Sequence, residues 1–215
     1  MHRARSRREW TIGQQVTKNL IDGGFPGPIY PINPGATEIL GLKTYPSIAD
    51  VPGPVDAAVY CVPADKVLDV ARQCAKAGVK PILGCELYVA PGRRTDKTPP
   101  GPGRKPYYHL LLLARDQTGY HNLMKLSTAG FLEGYYYRPR IDRELLAAHA
   151  SGLIATSTCL GGEIPQLIMA GDLKGAESAA ASYREIFGAE NFYLEIQDQG
   201  LPEEGKINPI LVEMG

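Results

Sequence analysis

Residues 77–89 read AGVKPILGCELYV, and this stretch decides the fold. A glycine closes an amphipathic run, as expected for a residue just past a helix C-terminus. An apolar segment follows and reads as a strand. Glu86 stands inside that strand, where an unpartnered buried carboxylate is costly and therefore calls for a ligand or a counter-charge. Immediately upstream, VDAAVYCVP (55–63) is a mostly apolar strand candidate. ADKVLDVARQCAKAG (64–78) has helical spacing, with Val67, Ala71, Cys74 and Gly78 on one face. Strand, helix and strand in this order predict a parallel sheet in an α/β fold.

Working outward, residues 12–22 are predicted helical, with Ile12, Val16 and Leu20 at spacing four and Gly23-Gly24 as the stop. GPIYPINP reads as a short strand ending in a proline turn. Beyond residue 90, TPPGPGRKP is a loop and YHLLLLA a buried strand. Helices are predicted over 119–132, over 142–149 with Asp142 as N-cap, and over 172–187. GLIATST and NFYLEIQ are strands, and a Cys-Leu-Gly-Gly turn follows the first of them.

The 215 residues allow one large or two small domains, and 44% hydrophobic with 21% charged residues is ordinary globular composition. Lysine plus arginine total 23, as do aspartate plus glutamate, so the basic surplus of a free-standing nucleic-acid binder is missing. Four cysteines without a CxxC pair give no disulfide framework. The basic start MHRARSRREW lacks a following apolar stretch, and the longest aliphatic run, Leu110 to Ala114, is far too short to span a bilayer. A soluble, cytoplasmic chain is expected.

Glu86, His109 and Cys159 carry the strongest chemistry. Glu86 is placed in or at the end of a strand, His109 at the opening of the next and Cys159 at the end of a third, and carboxylate, imidazole and thiolate are all ligands for zinc or a similar metal. Ligands at successive strand ends of an α/β barrel converge on one point. Singly, each also has an ordinary reading: an exposed glutamate, a satisfied core histidine, a small buried cysteine. His121 and His149 read as surface residues. YYYRPRID interleaves tyrosines with Arg138 and Arg140, which suits either a phosphate contact or a loop anchored by tyrosines. In the first part, SRREWTIG (6–13) precedes a helix and is a weak candidate for a phosphate cradle. PINP and CVPAD follow strands, where α/β sheets bind ligands, but equally suit plain proline turns.

Two family resemblances meet near Gly78–Pro81. GGFPGPIYPINP, LGLKTYPS and GPVDAAVYCVP, with the sequence around them, resemble the CoA-binding Rossmann domain of NDP-forming acyl-CoA synthetases over residues 5–80. That resemblance implies a phosphate loop including Ser6 and Gly13, with Asn33 and Pro34 approaching the nucleotide and Val62 and Pro63 lining the site. Ala4-Arg5-Ser6 stands where that family carries Gly-Ala-Ser. Residues 77–215 resemble the PHP (polymerase and histidinol phosphatase) domain of the bacterial DNA polymerase III alpha subunit. GVKPILGCELYVAPG, the run from YYHLLLLARDQTGYHNL to TSTCLGGEIPQL, and YREIFGAENFYLEIQDQG carry the match. There Glu86, His109 and Cys159 correspond to metal ligands. The His-x-His motif with which the family site begins does not occur in this sequence.

The resemblances imply a truncated Rossmann-like parallel sheet over 1–80, followed by an incomplete PHP-type (β/α) barrel over 81–215. They imply a fragment of the polymerase subunit, related to metal-dependent phosphoesterases and 3′–5′ exonucleases and inactive alone. One zinc or manganese ion would sit at the three ligands with open positions, and DNA and replisome subunits would be the partners. Two other readings stand beside this one: a CoA- or nucleotide-binding module, and a chimeric reading frame without function. Unpaired strand edges and poor solubility are expected where each sheet lacks strands.

Overall fold

In a computed structural model, described for residues 11–80, 82–101 and 105–215, the chain divides into two units, Met1–Pro81 and Ile82–Gly215. Ser6 lies outside the described residues.

The first unit opens with helix α1 (Ile12–Asp22). Thr11 caps it, and Gln14 closes a reciprocal capping box. A two-residue hairpin, β1 (Glu38–Ile39) and β2 (Leu42–Lys43), follows. Its turn residues Leu40 and Gly41 both have positive φ, 52° and 80°. Helix α2 (Ala64–Lys76) ends as the glycine at 78 implies. Gly78 has φ 82° and donates to the Ala75 carbonyl, while Val79 donates to Cys74. These two bonds form a Schellman motif, and Cys74 and Val79 are packed in one small core with Ile48. The buried side of α2 is Val70, Ala71 and Cys74, whereas Val67 is 40% exposed.

Among the described residues of this unit no parallel sheet is paired. GPIYPINP contributes one isolated bridge, Ile32 to Tyr45, and residues 55–63 run without strand pairing. A strand needs a neighbour to satisfy its backbone groups, and β1 and β2 pair only with each other. Val59 is accordingly 70% exposed.

The second unit holds a five-stranded mixed sheet. Its strands are β3 (Leu83–Val89), β4 (Tyr108–Ala114), β5 (Arg140–Ile141), β6 (Leu153–Thr156) and β7 (Phe192–Tyr193), in the order β5-β3-β4-β6-β7. Helices and a mixed sheet confirm the α/β class. The central pairing, however, is antiparallel over seven residues, from Leu83↔Ala114 to Val89↔Tyr108. The physical reason is the connection. Parallel neighbours need a crossover, usually a helix, and no helix is described between β3 and β4. Parallel pairing appears only at the edges, β3 with β5 and β6 with β7.

Strand alternation separates two faces. Leu87, Leu110, Leu112 and Ala155 point into the core, each at most 6% exposed. That core is completed by α3 (Gln117–Leu132), α4 (Arg143–Ala148), α5 (Glu163–Met169), α6 (Leu173–Phe187) and α7 (Pro202–Met214). Helix α3 starts at Asp116, whose side chain accepts from the Gly119 amide, and α4 starts at Asp142, which accepts from Leu145. A Cβ at Gly119 would stand 1.8 Å from the Gly152 carbonyl oxygen, so this close approach of α3 to the turn before β6 requires glycine. Between α4, α5 and α6 a partly buried network forms. Glu163 accepts from the Tyr183 hydroxyl at 2.8 Å and from Arg143 at 2.9 Å. Burial, then the neighbouring carboxylate, drives the Tyr183 phenol well above its usual pKa. The opposite face of the sheet carries Glu86, Tyr88 and His109.

Candidate metal centre

Glu86 lies in the middle of β3 and His109 is the second residue of β4, with Tyr88 directly across from it. The period of two puts Glu86, Tyr88 and His109 on the non-core face. Cys159 is not at a strand end. It follows β6 by three residues, in a turn that swings back over His109. The His109 amide donates to the Gly161 carbonyl at 3.0 Å, and Gly162 bridges to His109. Thr158, immediately before the cysteine, has φ 53°. A β-branched residue in the left-handed region stores about 1–3 kcal/mol, a cost that tends to collect at functional sites.

The three predicted ligands are brought together. His109 Nδ1 is 3.2 Å from Glu86 Oε1 and 3.5 Å from Cys159 Sγ, and all three ligand atoms lie within 4.8 Å of one another. Zinc sits about 2.1 Å from nitrogen or oxygen and about 2.3 Å from thiolate sulfur, so ligands at tetrahedral angles stand roughly 3.4–3.7 Å apart. The two distances from His109 Nδ1 are close to that spacing, and the Glu86 and Cys159 ligand atoms lie within 4.8 Å of each other. The trio does not have the layout of a cysteine nucleophile with a histidine base, in which thiol and carboxylate engage opposite ring nitrogens. Here both engage Nδ1. The Cys159 sulfur also accepts from the Gly161 amide at 3.4 Å.

Gly161 is a component that the Cys-Leu-Gly-Gly turn hints at without explaining. A Cβ there would stand 2.8 Å from His109 Nδ1 and 2.9 Å from Cγ, so the imidazole rests directly on the glycine. Tyrosines complete the surroundings. Tyr107 stacks on His109 at 6.1 Å and 14°, and Tyr88 meets it edge-on at 5.3 Å. Sequence reasoning misses these two, although their positions two residues from His109 and Glu86 put them on the same face. Cys85, by contrast, points to the core side. Burial, and then the Glu86 charge, pushes its thiol pKa up.

The two arginines of YYYRPRID separate. Arg140 is 3% exposed and donates to the carbonyls of Gly134, Pro106, Arg94 and Asp96. It ties the loop after β3 to the turn before β5, so it is a structural anchor and not a phosphate contact. Arg138 is exposed near Tyr88. His121 is exposed as expected, and His149 is half-buried at the end of α4.

The candidate CoA residues are placed less tightly. Gly13 lies in the first turn of α1, where a Cβ would meet the Cys61 side chain at 3.4 Å, beside Val62 in sequence. Pro63 is the N-cap position of α2. The Asn33 side chain accepts from the Gly35 amide at 2.9 Å, a local turn involving Pro34.

The PHP domain family model matches residues 50–199, so the chain belongs to that family. A CoA binding domain model matches residues 5–85. The two matches overlap over residues 50–85, which include α2 and the start of β3. Over 147 residues the chain is 50% identical to the DNA polymerase III subunit alpha of Treponema pallidum, covering 68% of this chain and 12% of that one. It is 54% identical over 135 residues to the subunit of Deinococcus radiodurans, covering 62% and 10%, and 49% identical over 142 residues to that of Thermus aquaticus, covering 66% and 12%. The chain thus spans about a tenth of the length of these relatives. Among solved structures, a dinucleotide-forming acetyl-coenzyme A synthetase 1 of Ca. Korarchaeum cryptofilum, in complex with phosphate and ADP, is 54% identical over 35% of this chain and 16% of its own, at a TM-score of 0.33. Among the described residues no helix is long and apolar enough to cross a membrane.

Proposed function

We propose that residues 81–215 are a PHP segment of the DNA polymerase III alpha type, in which Glu86, His109 and Cys159 hold one divalent metal ion. The observation that carries this reading is the convergence of a carboxylate oxygen and a thiol sulfur on one imidazole nitrogen. A nitrogen, oxygen and sulfur donor set favours zinc, with manganese the alternative. A bound divalent ion supplies Lewis acidity and an activated water for phosphoester hydrolysis. In this chain Glu86 and Cys159 would supply an oxygen and a sulfur donor, Gly161 seats the imidazole, and the half-exposed side chains leave room for an outside ligand. Phosphoester hydrolysis commonly uses two metals, so three ligands alone support binding better than turnover. The family relatives make DNA and replisome subunits the expected partners and the cytoplasm the expected location.

For residues 1–80 we infer a partial CoA-binding segment. The domain match and the seat of Gly13 against Cys61 favour it; the unpaired 55–63 segment weakens it. The abutment of two unrelated families is also what a chimeric reading frame would produce. Equilibrium dialysis of the full chain against zinc and against CoA separates these readings. About one zinc per chain, lost in His109→Ala, supports the metal centre. CoA retention supports the first-unit reading, and retention of neither supports a chimera.

A further inference from the structure

Near the candidate metal ligands stands Arg138, a cation that the tyrosines rather than carboxylates engage. Arg94 is engaged by Glu133 and Asp142, Arg143 by Glu163, and Arg140 by four carbonyls. Arg138 makes no ion pair among the described residues, and its neighbours are tyrosines. Its guanidinium carbon is 6.0 Å from the centre of the Tyr88 ring and lies against the Tyr107 phenol. Both tyrosines in turn pack on His109. The backbone holds the arginine in this position. Tyr137 has φ 60°, and the Tyr136 amide donates to the Arg138 carbonyl at 3.0 Å, closing a tight turn around it.

We infer that Arg138, braced by Tyr88 and Tyr107, forms an anion subsite that receives a phosphoryl group of a ligand whose adjoining atoms reach the Glu86–His109–Cys159 trio. This rests on reading the trio as a metal centre. A guanidinium presents a planar fork matched to phosphate oxygens, and a phenol adds a further donor. Stacking on the tyrosines restrains the long side chain before a ligand arrives, which lowers the entropic cost of binding. The subsite lies on the non-core face of the sheet, the face on which Glu86 and His109 stand.

The test uses the full chain, metal-free and manganese-loaded, with inorganic phosphate as the probe and phosphorus NMR titration as the readout. Arg138→Gln is expected to weaken phosphate binding about 10-fold or more in both forms, because a charge-assisted contact is lost. Its manganese affinity is expected to stay unchanged. In the loaded wild type, the bound phosphate signal is expected to broaden through proximity to manganese. Phosphate bound equally by wild type and Arg138→Gln, or by neither, overturns the subsite. If manganese fails to bind while metal-free phosphate binding still depends on Arg138, the subsite stands and the metal reading falls. If manganese binds and phosphate ignores Arg138, the reverse holds.

Discussion

Replacing Gly161 with alanine is expected to loosen the proposed metal centre while leaving the fold intact. The added Cβ would lie 2.8 Å from His109 Nδ1, 2.9 Å from Cγ and 3.0 Å from Cε1. Ordinary contacts begin near 3.4–3.5 Å, so the ring must retreat by roughly 0.5–0.7 Å. Metal ligation tolerates displacements of only about 0.2 Å. The loss should therefore resemble that of removing a supporting partner, about 10–100-fold in affinity, or roughly 1.4–2.7 kcal/mol. Gly161 is not among the glycines with positive φ, so its backbone accepts alanine without strain. Gly92 provides the control: a Cβ there would meet nothing within 4 Å, and its φ is not positive. Competition titration against a chromophoric zinc chelator reads the affinities of wild type, Gly161→Ala and Gly92→Ala. Equal affinity for all three would refute the reasoning, because the ring would then not depend on its glycine seat.

Other outcomes follow from the packing. Leu40→Asn should stabilise the first unit by about 1 kcal/mol in chemical denaturation, since asparagine tolerates the positive φ of a two-residue hairpin turn. Tyr183→Phe should cost about 1–2 kcal/mol, because Glu163 loses the buried hydroxyl donor and keeps only Arg143. Gly205→Ala, in α7 with open space around it, should raise stability by about 0.5–1 kcal/mol. Asp142 sets an acid limit. Burial alone would raise its pKa, but donation from the Arg94 and Leu145 amides and the Arg94 guanidinium outweighs that and brings it below the usual value. Its stabilisation is therefore full above the ordinary aspartate pKa of about 3.9 and is lost as pH falls through the lower native value. Asp142→Asn should flatten that part of the unfolding-versus-pH curve.

Much of the second unit is legible in the sequence because its signals are local. YHLLLLA coincides with β4, and Asp142 caps α4 as its residue type suggests. The stop at Gly78 is visible because only a residue comfortable at φ 82° closes a Schellman motif so readily. Helix α7 escapes a reading by residue type. Pro202 and Pro209 look like loop punctuation, yet Pro202 takes the tolerated first turn and the helix runs on past Pro209. The buried spacing Glu204, Ile207, Leu211 is the signal that marks it. The sheet direction differs from expectation because the strand–helix–strand grammar around α2 does not extend past residue 90, where the long connection has no described helix. Glu86, His109 and Cys159 are candidate ligands by residue type, but taken singly each suits an ordinary reading, and their convergence depends on the turn that returns Cys159 to His109. No spacing in the sequence encodes that return.

The most direct test of the metal centre is the electronic spectrum of the full chain titrated with cobalt(II), a stand-in for zinc that reports its ligands. A thiolate-to-cobalt charge-transfer band saturating at about one equivalent, abolished in Cys159→Ser and in His109→Ala, is the expected result. Absence of that band, or a band that survives loss of Cys159, would show that the three side chains do not act together on a metal.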